Sequence, residues 1–109
     1  MICYIFDTEA AALAGEQAIT GNIREWVRAN YPDSLTPEGH LRSRNAATGQ
    51  LTDWVTVRWA TPWQRTDGKW VVTKPTANEV LPVPIDAVLD GVVAAEEEWS
   101  SSWLPEGEL

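Results

Sequence analysis

The N-terminal pattern of apolar and polar positions predicts a strand followed by a helix. Residues 2–6 read Ile-Cys-Tyr-Ile-Phe, and a short run of β-branched and aromatic side chains that ends at an acid is typical of a buried strand. Asp7 or Thr8 can cap the first free N–H groups of a helix, and Glu9 suits the positive end of the helix dipole. An alanine-rich stretch up to Ile19 follows, so we expect this helix to pack closely on the sheet.

The helical pattern is interrupted by the Gly-Asn pair at positions 21–22 and then resumes. Ile23, Trp26 and Val27 recur at spacings of three and four, and Pro32 follows them. Glycine costs about 1 kcal/mol in a helix interior, and proline cannot continue a helix. The pattern therefore predicts a second, short helix that ends before Pro32.

The middle of the chain predicts a long loop, a strand and a hairpin. Positions 33–50 are polar and rich in turn formers, and a loop of this length is usually functional or disordered. Positions 51–60 alternate between apolar and polar side chains, as a half-buried strand does. Asp67-Gly68 is the strongest short hairpin signal, and the run Trp-Val-Val-Thr at 70–73 supplies the returning strand.

The C-terminal third predicts an edge strand, a helix and a tail. Prolines at 75, 82 and 84 confine a strand at 80–83 to the edge of a sheet. Apolar side chains at helical spacing predict a last helix over 86–98. Residues 100–109 follow as a flexible acidic tail, in which Trp103-Leu104 is typical of a docking segment.

These elements favour an α+β fold. A small β-sheet, made of the N-terminal strand and the long hairpin, is packed by two or three helices. A chain of 109 residues suits one domain. We place this domain at residues 1–99 and the tail at residues 100–109.

Charge is distributed unevenly along the chain. The net charge of −8 opposes direct binding to nucleic acid. Residues 1–39 carry six acids and two bases, residues 40–78 carry six bases and two acids, and residues 79–109 carry eight acids and no base. The basic middle third has two interpretations: either the acidic flanks fold over it and neutralise it, or it forms a surface for an acidic partner.

Residue types that carry catalysis or bind metals are scarce. His40 is the single histidine and Cys3 the single cysteine, which excludes a two-histidine metal site and an intrachain disulfide. Phosphate-binding glycine loops, Gly-x-Ser-x-Gly and Cys-x-x-Cys do not occur. We therefore expect a non-enzymatic protein without cofactor or metal. The start of the chain lacks a basic leader and no apolar run approaches about 20 residues, so we expect cytoplasmic synthesis and no membrane association.

Tryptophan is the clearest departure from average composition, with seven residues among 109. Four of them lie between positions 54 and 70, interleaved with bases, and tryptophan beside arginine is typical of interface hot spots. The alternative is that Trp59 and Trp70 are cross-strand partners in the core. The predicted partner-binding residues are Trp54, Arg58, Trp63, Arg65, Lys69, Trp103 and Leu104.

Two segments resemble a group of small bacteriophage proteins that are often encoded near tail or other late genes. They are Tyr-Ile-Phe-Asp-Thr-Glu-Ala at 4–10 and Arg-Trp-Ala-Thr-Pro-Trp-Gln-Arg-Thr-Asp-Gly-Lys-Trp at 58–70, together about a fifth of the chain. The resemblance implies a viral origin and a role in the virion or its assembly, with other phage structural proteins as partners. It implies no catalytic residue.

Three functions follow as hypotheses. The first is a phage structural or assembly protein of the tail or baseplate type, located in the virion, which contacts neighbouring subunits or a second copy of itself. The second is an acidic inhibitor of a host defence nucleoprotein complex, which uses the C-terminal third to occupy a nucleic-acid-binding surface. The third is a sugar-binding module that uses exposed tryptophan.

Overall fold

Four antiparallel strands and two helices make up the protein in the computed structural model, which describes residues 1–35, 47–48, 58–77 and 83–104. The strands are β1 (Ile2–Phe6), β2 (Trp63–Gln64), β3 (Trp70–Thr73) and β4 (Ala95–Glu98), and the helices are α1 (Glu9–Asn30) and α2 (Ile85–Val88). Short 3₁₀ turns lie at Pro32–Ser34 and Ser101–Trp103. The sheet order is β2-β3-β1-β4, and the fold is a small α+β fold, as predicted.

Different elements of the fold pack against the two faces of the sheet. Side chains on a strand alternate between the faces, and Tyr4 and Val72 lie in the apolar cluster that α1 and α2 cover. Ile5 and Val71 point the other way, into a smaller cluster with Trp103. One face of the sheet is therefore closed by helices and the other by the C-terminal 3₁₀ turn.

Helix α1 runs through Gly21 without a break, so the predicted division into two helices is wrong. Its capping is as expected: the Ala11 N–H donates to Thr8 Oγ1 at 3.1 Å, and the helix ends shortly before Pro32. One buried stripe continues past the glycine, and burial of that stripe outweighs the helix cost of a single glycine. The stripe consists of Ala12, Glu16, Ile19, Thr20, Ile23 and Val27.

The helix approaches the sheet closely, as the alanine-rich sequence predicts. Ala12 is fully buried. A Cβ atom placed on Gly15 would lie 2.6 Å from Cζ of Phe6, which is closer than two carbon atoms can come without a shift. The small residues at these positions therefore set the distance between α1 and β1.

The predicted hairpin is confirmed. Strands β2 and β3 pair with Gln64 opposite Trp70, and Gly68 takes a φ of 90°, a left-handed conformation that glycine adopts without strain. The Asp67 carboxylate accepts the Lys69 N–H at 3.0 Å. The Asp-Gly pair thus forms the turn in the way that its sequence indicates.

The last predicted helix is wrong over most of its length. α2 ends at Val88, Gly91 takes a φ of 74°, and residues 95–98 form strand β4. β4 pairs with β1 along the side that β3 leaves free, with Glu97 opposite Cys3. Pairing with a strand distant in sequence therefore overrides the local helical spacing of the apolar residues.

The expected flexible tail is ordered over its first residues. Trp103 is only 9% exposed, and Thr66 donates its backbone N–H to the Trp103 carbonyl at 2.9 Å. The indole finds an apolar cluster on the sheet, which gives this segment a fixed position. Residues 105–109 lie outside the described residues.

Two predicted strands lie wholly or partly outside the described residues. Positions 51–57 and 80–82 are not described, whereas residues 58–60 are described and are not in a strand, and Val83 is buried but also not in a strand. Within the described part of the chain, no helix has both the length and the apolar character needed to cross a bilayer.

Candidate functional site

The predicted partner-binding residues fall into a buried group and an exposed group. Arg65 and Trp103 are 8% and 9% exposed. Trp63 and Leu104 are half-buried, Arg58 and Lys69 are exposed, and Trp54 lies outside the described residues. The structure thus brings the hairpin and the C-terminal turn together, but the centre of the group is inside the protein.

Arg65 and Trp103 contact each other directly. The Arg65 guanidinium carbon lies 4.9 Å from the centroid of the Trp103 ring, and the Trp63 and Trp103 rings are 6.3 Å apart at a tilt of 45°. Thr66 holds the same segment through two bonds, from its N–H to the Trp103 carbonyl and from its hydroxyl to the Ser102 carbonyl at 3.1 Å. Three of the predicted residues, Trp63, Arg65 and Trp103, therefore form an internal contact between the hairpin and the C-terminal turn.

Arg65 is also held by two carboxylates. Its Nε donates to Asp67 Oδ1 at 2.8 Å and its Nη1 to Glu97 Oε2 at 3.2 Å. The hydrogen bond to Asp67 raises the pKa of Arg65, and the same bond lowers the pKa of Asp67 below its ordinary value. A guanidinium that is paired on two sides and covered by an indole has little capacity left for another molecule.

The acidic flanks neutralise the basic middle third at each of the four bases that are described there. Lys74 bonds Glu96 at 2.7 Å, which raises the pKa of Lys74. Arg65 bonds Glu97. The two further pairs are Arg58 with Glu16 at 3.6 Å and Lys69 with Asp7 at 3.7 Å. For these bases the first interpretation of the charge pattern is confirmed.

The acidic strand β4 is likewise compensated by its own chain. Glu98 accepts a hydrogen bond from the N-terminal ammonium at 2.9 Å, while Glu96 and Glu97 bond Lys74 and Arg65. All three glutamates therefore have a cation of the same molecule, and the strand is not a field of free negative charge.

β4 also forms one edge of the sheet. The Trp99 N–H donates to the Met1 carbonyl at 2.8 Å, and bonded and non-bonded pairs alternate along an antiparallel ladder. The backbone groups of Glu96 and Glu98 therefore point away from β1, where no described strand pairs with them. Acidic side chains on a short edge strand oppose pairing with a second copy of the chain.

Buried Glu16 is a site that the sequence analysis missed. It is 2% exposed, it accepts a hydrogen bond from the Thr20 hydroxyl at 2.7 Å, and Thr20 accepts the Trp59 N–H at 3.0 Å. With the Arg58 ion pair, these bonds fasten residues 58–59 to α1. The available signal was an acid and a threonine four residues apart on an otherwise apolar stripe.

A groove between α1 and α2 is the second region that the sequence analysis missed. Its volume is about 490 Å³, and among its described lining residues three are acids and none is a base. Asn22 bridges the two sides of the groove, since its side-chain amide donates to the carbonyls of Val88 and Asp90, both at 2.8 Å. The lining residues are Asn22, Glu25, Trp26, Asp86, Ala87 and Asp90.

The carboxylates of this groove differ in their partners. Glu25 pairs with Arg28 on the same helix. No ion pair joins Asp86 or Asp90 to a base within the residues that the structure describes. Among the described residues, the α2 side of the groove therefore carries two carboxylates that no cation pairs with, in contrast to strand β4.

Exposed indole surface is limited. Of the six described tryptophans, Trp99 is the one classed as exposed, at 37%. In the predicted core pair, Trp59 and Trp70 are each half-buried and pack against the larger apolar cluster, and Trp59 Nε1 donates to the Thr73 carbonyl at 2.6 Å.

Across the described ranges, no three His, Cys, Asp or Glu side chains are grouped so as to hold a metal ion. No protein-family model matches the chain, and no curated protein or solved structure matches it either.

Proposed function

We propose that this protein is a non-enzymatic structural or assembly component of a bacteriophage, of the tail or baseplate type, and acts by contacting other protein subunits. The viral part of the proposal rests on the resemblance of residues 4–10 and 58–70 to small phage proteins. The contact part rests on the structure of the α1–α2 groove.

The observation that carries the contact part is the position of the free charge. Most described bases are paired with acids of the same chain. Glu96, Glu97 and Glu98 form ion pairs with Lys74, Arg65 and the N-terminal ammonium, respectively. Asp86 and Asp90 remain at a concave surface beside an indole. Tryptophan is enriched in protein contact sites, and charged groups at such sites favour a partner of opposite charge.

The inhibitor hypothesis ranks second. It requires the C-terminal acids to face the nucleic-acid-binding surface of a host complex, and three of these acids are already engaged by cations of their own chain. The sugar-binding hypothesis ranks third, because a stacking platform needs an open indole face and most described indoles are at least half-buried.

A protein inventory of purified phage particles tests the proposal. We expect the chain in mature particles or in tail assembly intermediates, at a constant ratio to a known tail protein across successive purification steps. A nonstructural phage protein made in similar amount serves as the control and should be lost during purification. Loss of this chain at the same step as the control would contradict the proposal.

Site-specific photo-crosslinking then identifies the contact surface. A photoreactive residue at Glu25, which lines the groove, should give a cross-link to one phage subunit during assembly. The same residue at Glu9, which lies on α1 but outside the groove, is the matched control and should not. Equal yields from both positions would argue against a contact at the groove.

A further inference from the structure

The α1–α2 groove has a composition that distinguishes between classes of partner. Its side walls carry Glu25 on α1 and Asp86 and Asp90 on the α2 side, and none of its described lining residues is a base. Glu25 forms an ion pair with Arg28, so the carboxylates of Asp86 and Asp90 remain for a cation of the partner. An anionic or purely apolar segment would leave both carboxylates desolvated and unpaired, which is unfavourable.

An aromatic wall narrows the choice of cation. Trp26 lines the groove and is half-buried, because it packs on one side against the main apolar cluster. The Tyr31 ring supports it at a centroid distance of 5.7 Å. A planar guanidinium stacks on an indole face and donates to carboxylates through two N–H groups at once. A lysine ammonium is a compact charge that lacks this flat surface and the paired donors.

The groove is held in shape by contacts that do not depend on a ligand. Both amide hydrogens of Asn22 are used by carbonyls of the α2 region, those of Val88 and Asp90. These bonds tie α2 to the middle of α1 and set the separation of the two walls. The groove has a volume of about 490 Å³ and is open to solvent, so a side chain of a partner can reach it.

We infer that this groove binds an arginine side chain presented by a basic segment of a partner protein. The guanidinium pairs with Asp86 and Asp90 and lies against the Trp26 ring. The inference rests on the proposed function, in that the protein acts by contact, and it adds the chemistry of the partner. Charge complementarity is the reason for the assignment: Asp86 and Asp90 have no ion-pair partner among the described residues, and an arginine supplies one.

Calorimetric titration with a short blocked peptide of alternating arginine and glycine tests this inference at physiological ionic strength. We expect saturable binding, with weaker binding of the matched lysine peptide and none of the matched citrulline peptide. Asp86→Asn with Asp90→Asn should raise the dissociation constant about tenfold, the effect expected when two partly exposed ion pairs are lost.

A charge-matched control separates a site from general attraction between a basic peptide and an acidic protein. Glu9→Gln with Asp33→Asn removes two exposed acids that lie outside the groove and make no ion pair with a described base. This variant should change the dissociation constant less than about twofold, because distant exposed charges are screened at this salt concentration. Circular dichroism of both variants verifies that the fold is kept.

Nuclear magnetic resonance of the indole N–H groups supplies a second readout. The Trp26 signal should shift on addition of the arginine peptide, and the Trp103 signal should not. Equal loss of affinity in the two double variants, equal binding of arginine and lysine peptides, or an unshifted Trp26 signal would each overturn the inference. If particles contain the protein while the groove variants bind peptide normally, the proposed function stands and the groove assignment fails.

Discussion

Replacement of Trp103 tests whether the C-terminal turn is part of the folded core. The indole is 9% exposed and covers one face of the sheet, where Ile5 and Val71 lie beneath it. A tryptophan buries about 150–250 Å² on folding. At roughly 25 cal/mol per Å², this burial corresponds to a transfer free energy of about 5 kcal/mol.

The expected loss is smaller than the transfer value. When Trp103→Ala releases the turn, several residues regain conformational entropy at roughly 1 kcal/mol each, and this offsets part of the lost burial. We therefore expect Trp103→Ala to lower the free energy of unfolding by about 2–3 kcal/mol, at or just below the lower end of the range of about 3–5 kcal/mol for aromatic residues in cores. Urea unfolding followed by circular dichroism measures the change, provided that the slope against denaturant is unchanged.

Trp99→Ala is the matched control, since it removes the same side chain four positions earlier. Trp99 is 37% exposed and belongs to neither apolar cluster, so its replacement should cost about 1 kcal/mol or less. If the two variants differ by less than about 0.5 kcal/mol, the turn is not held by Trp103 and the reasoning is refuted.

Three further variants test other contacts. Glu16→Ala should lower the free energy of unfolding by about 2–3 kcal/mol, since it removes a buried acceptor and leaves a cavity, whereas Glu16→Gln should cost less; urea unfolding compares them. The hydrogen bond from Arg65 lowers the pKa of Asp67 below its ordinary 3.8, so the stabilisation from this bond is complete at neutral pH and is lost as the pH falls through the lowered pKa. Asp67→Asn should therefore reduce the dependence of the free energy of unfolding on pH in this acidic range. An unchanged pH dependence would contradict the assignment. Glu96→Val with Glu98→Val should cause self-association at neutral pH, because it replaces two ionised side chains on the β4 edge, which would be costly to desolvate, with apolar β-branched ones; sedimentation velocity showing a monomer would count against this.

Local signals predicted the elements that depend on a few neighbouring residues. Thr8 caps α1 because its hydroxyl reaches an N–H three residues on, and Asp67-Gly68 forms the hairpin turn because glycine accepts a positive φ. Each of these features is settled within one turn of chain. They could therefore be inferred without knowledge of the rest of the molecule.

The candidate site could be predicted only in part. The tryptophan and arginine residues of the hairpin and the C-terminal segment were predicted to bind a partner, but Arg65 and Trp103 contact each other inside the protein. Composition cannot tell an internal contact from an external one, since both use the same chemistry. The groove left no local signal, because its walls come from positions 22–26 and 86–90, which only the fold brings together.

Strand β4 shows most clearly what tertiary structure decided. Residues 95–98 include three successive glutamates, and the apolar residues on either side of them recur at helical spacing. Neither feature favours a strand. These residues become one because β1 has a free side, and because Lys74, Arg65 and the N-terminus lie where the three carboxylates arrive. Backbone preference acts over a few residues and could be inferred from the sequence. The ion pairs of β4 join residues that are 22, 32 and 97 positions apart, and its pairing with β1 spans the chain, so both required the folded molecule.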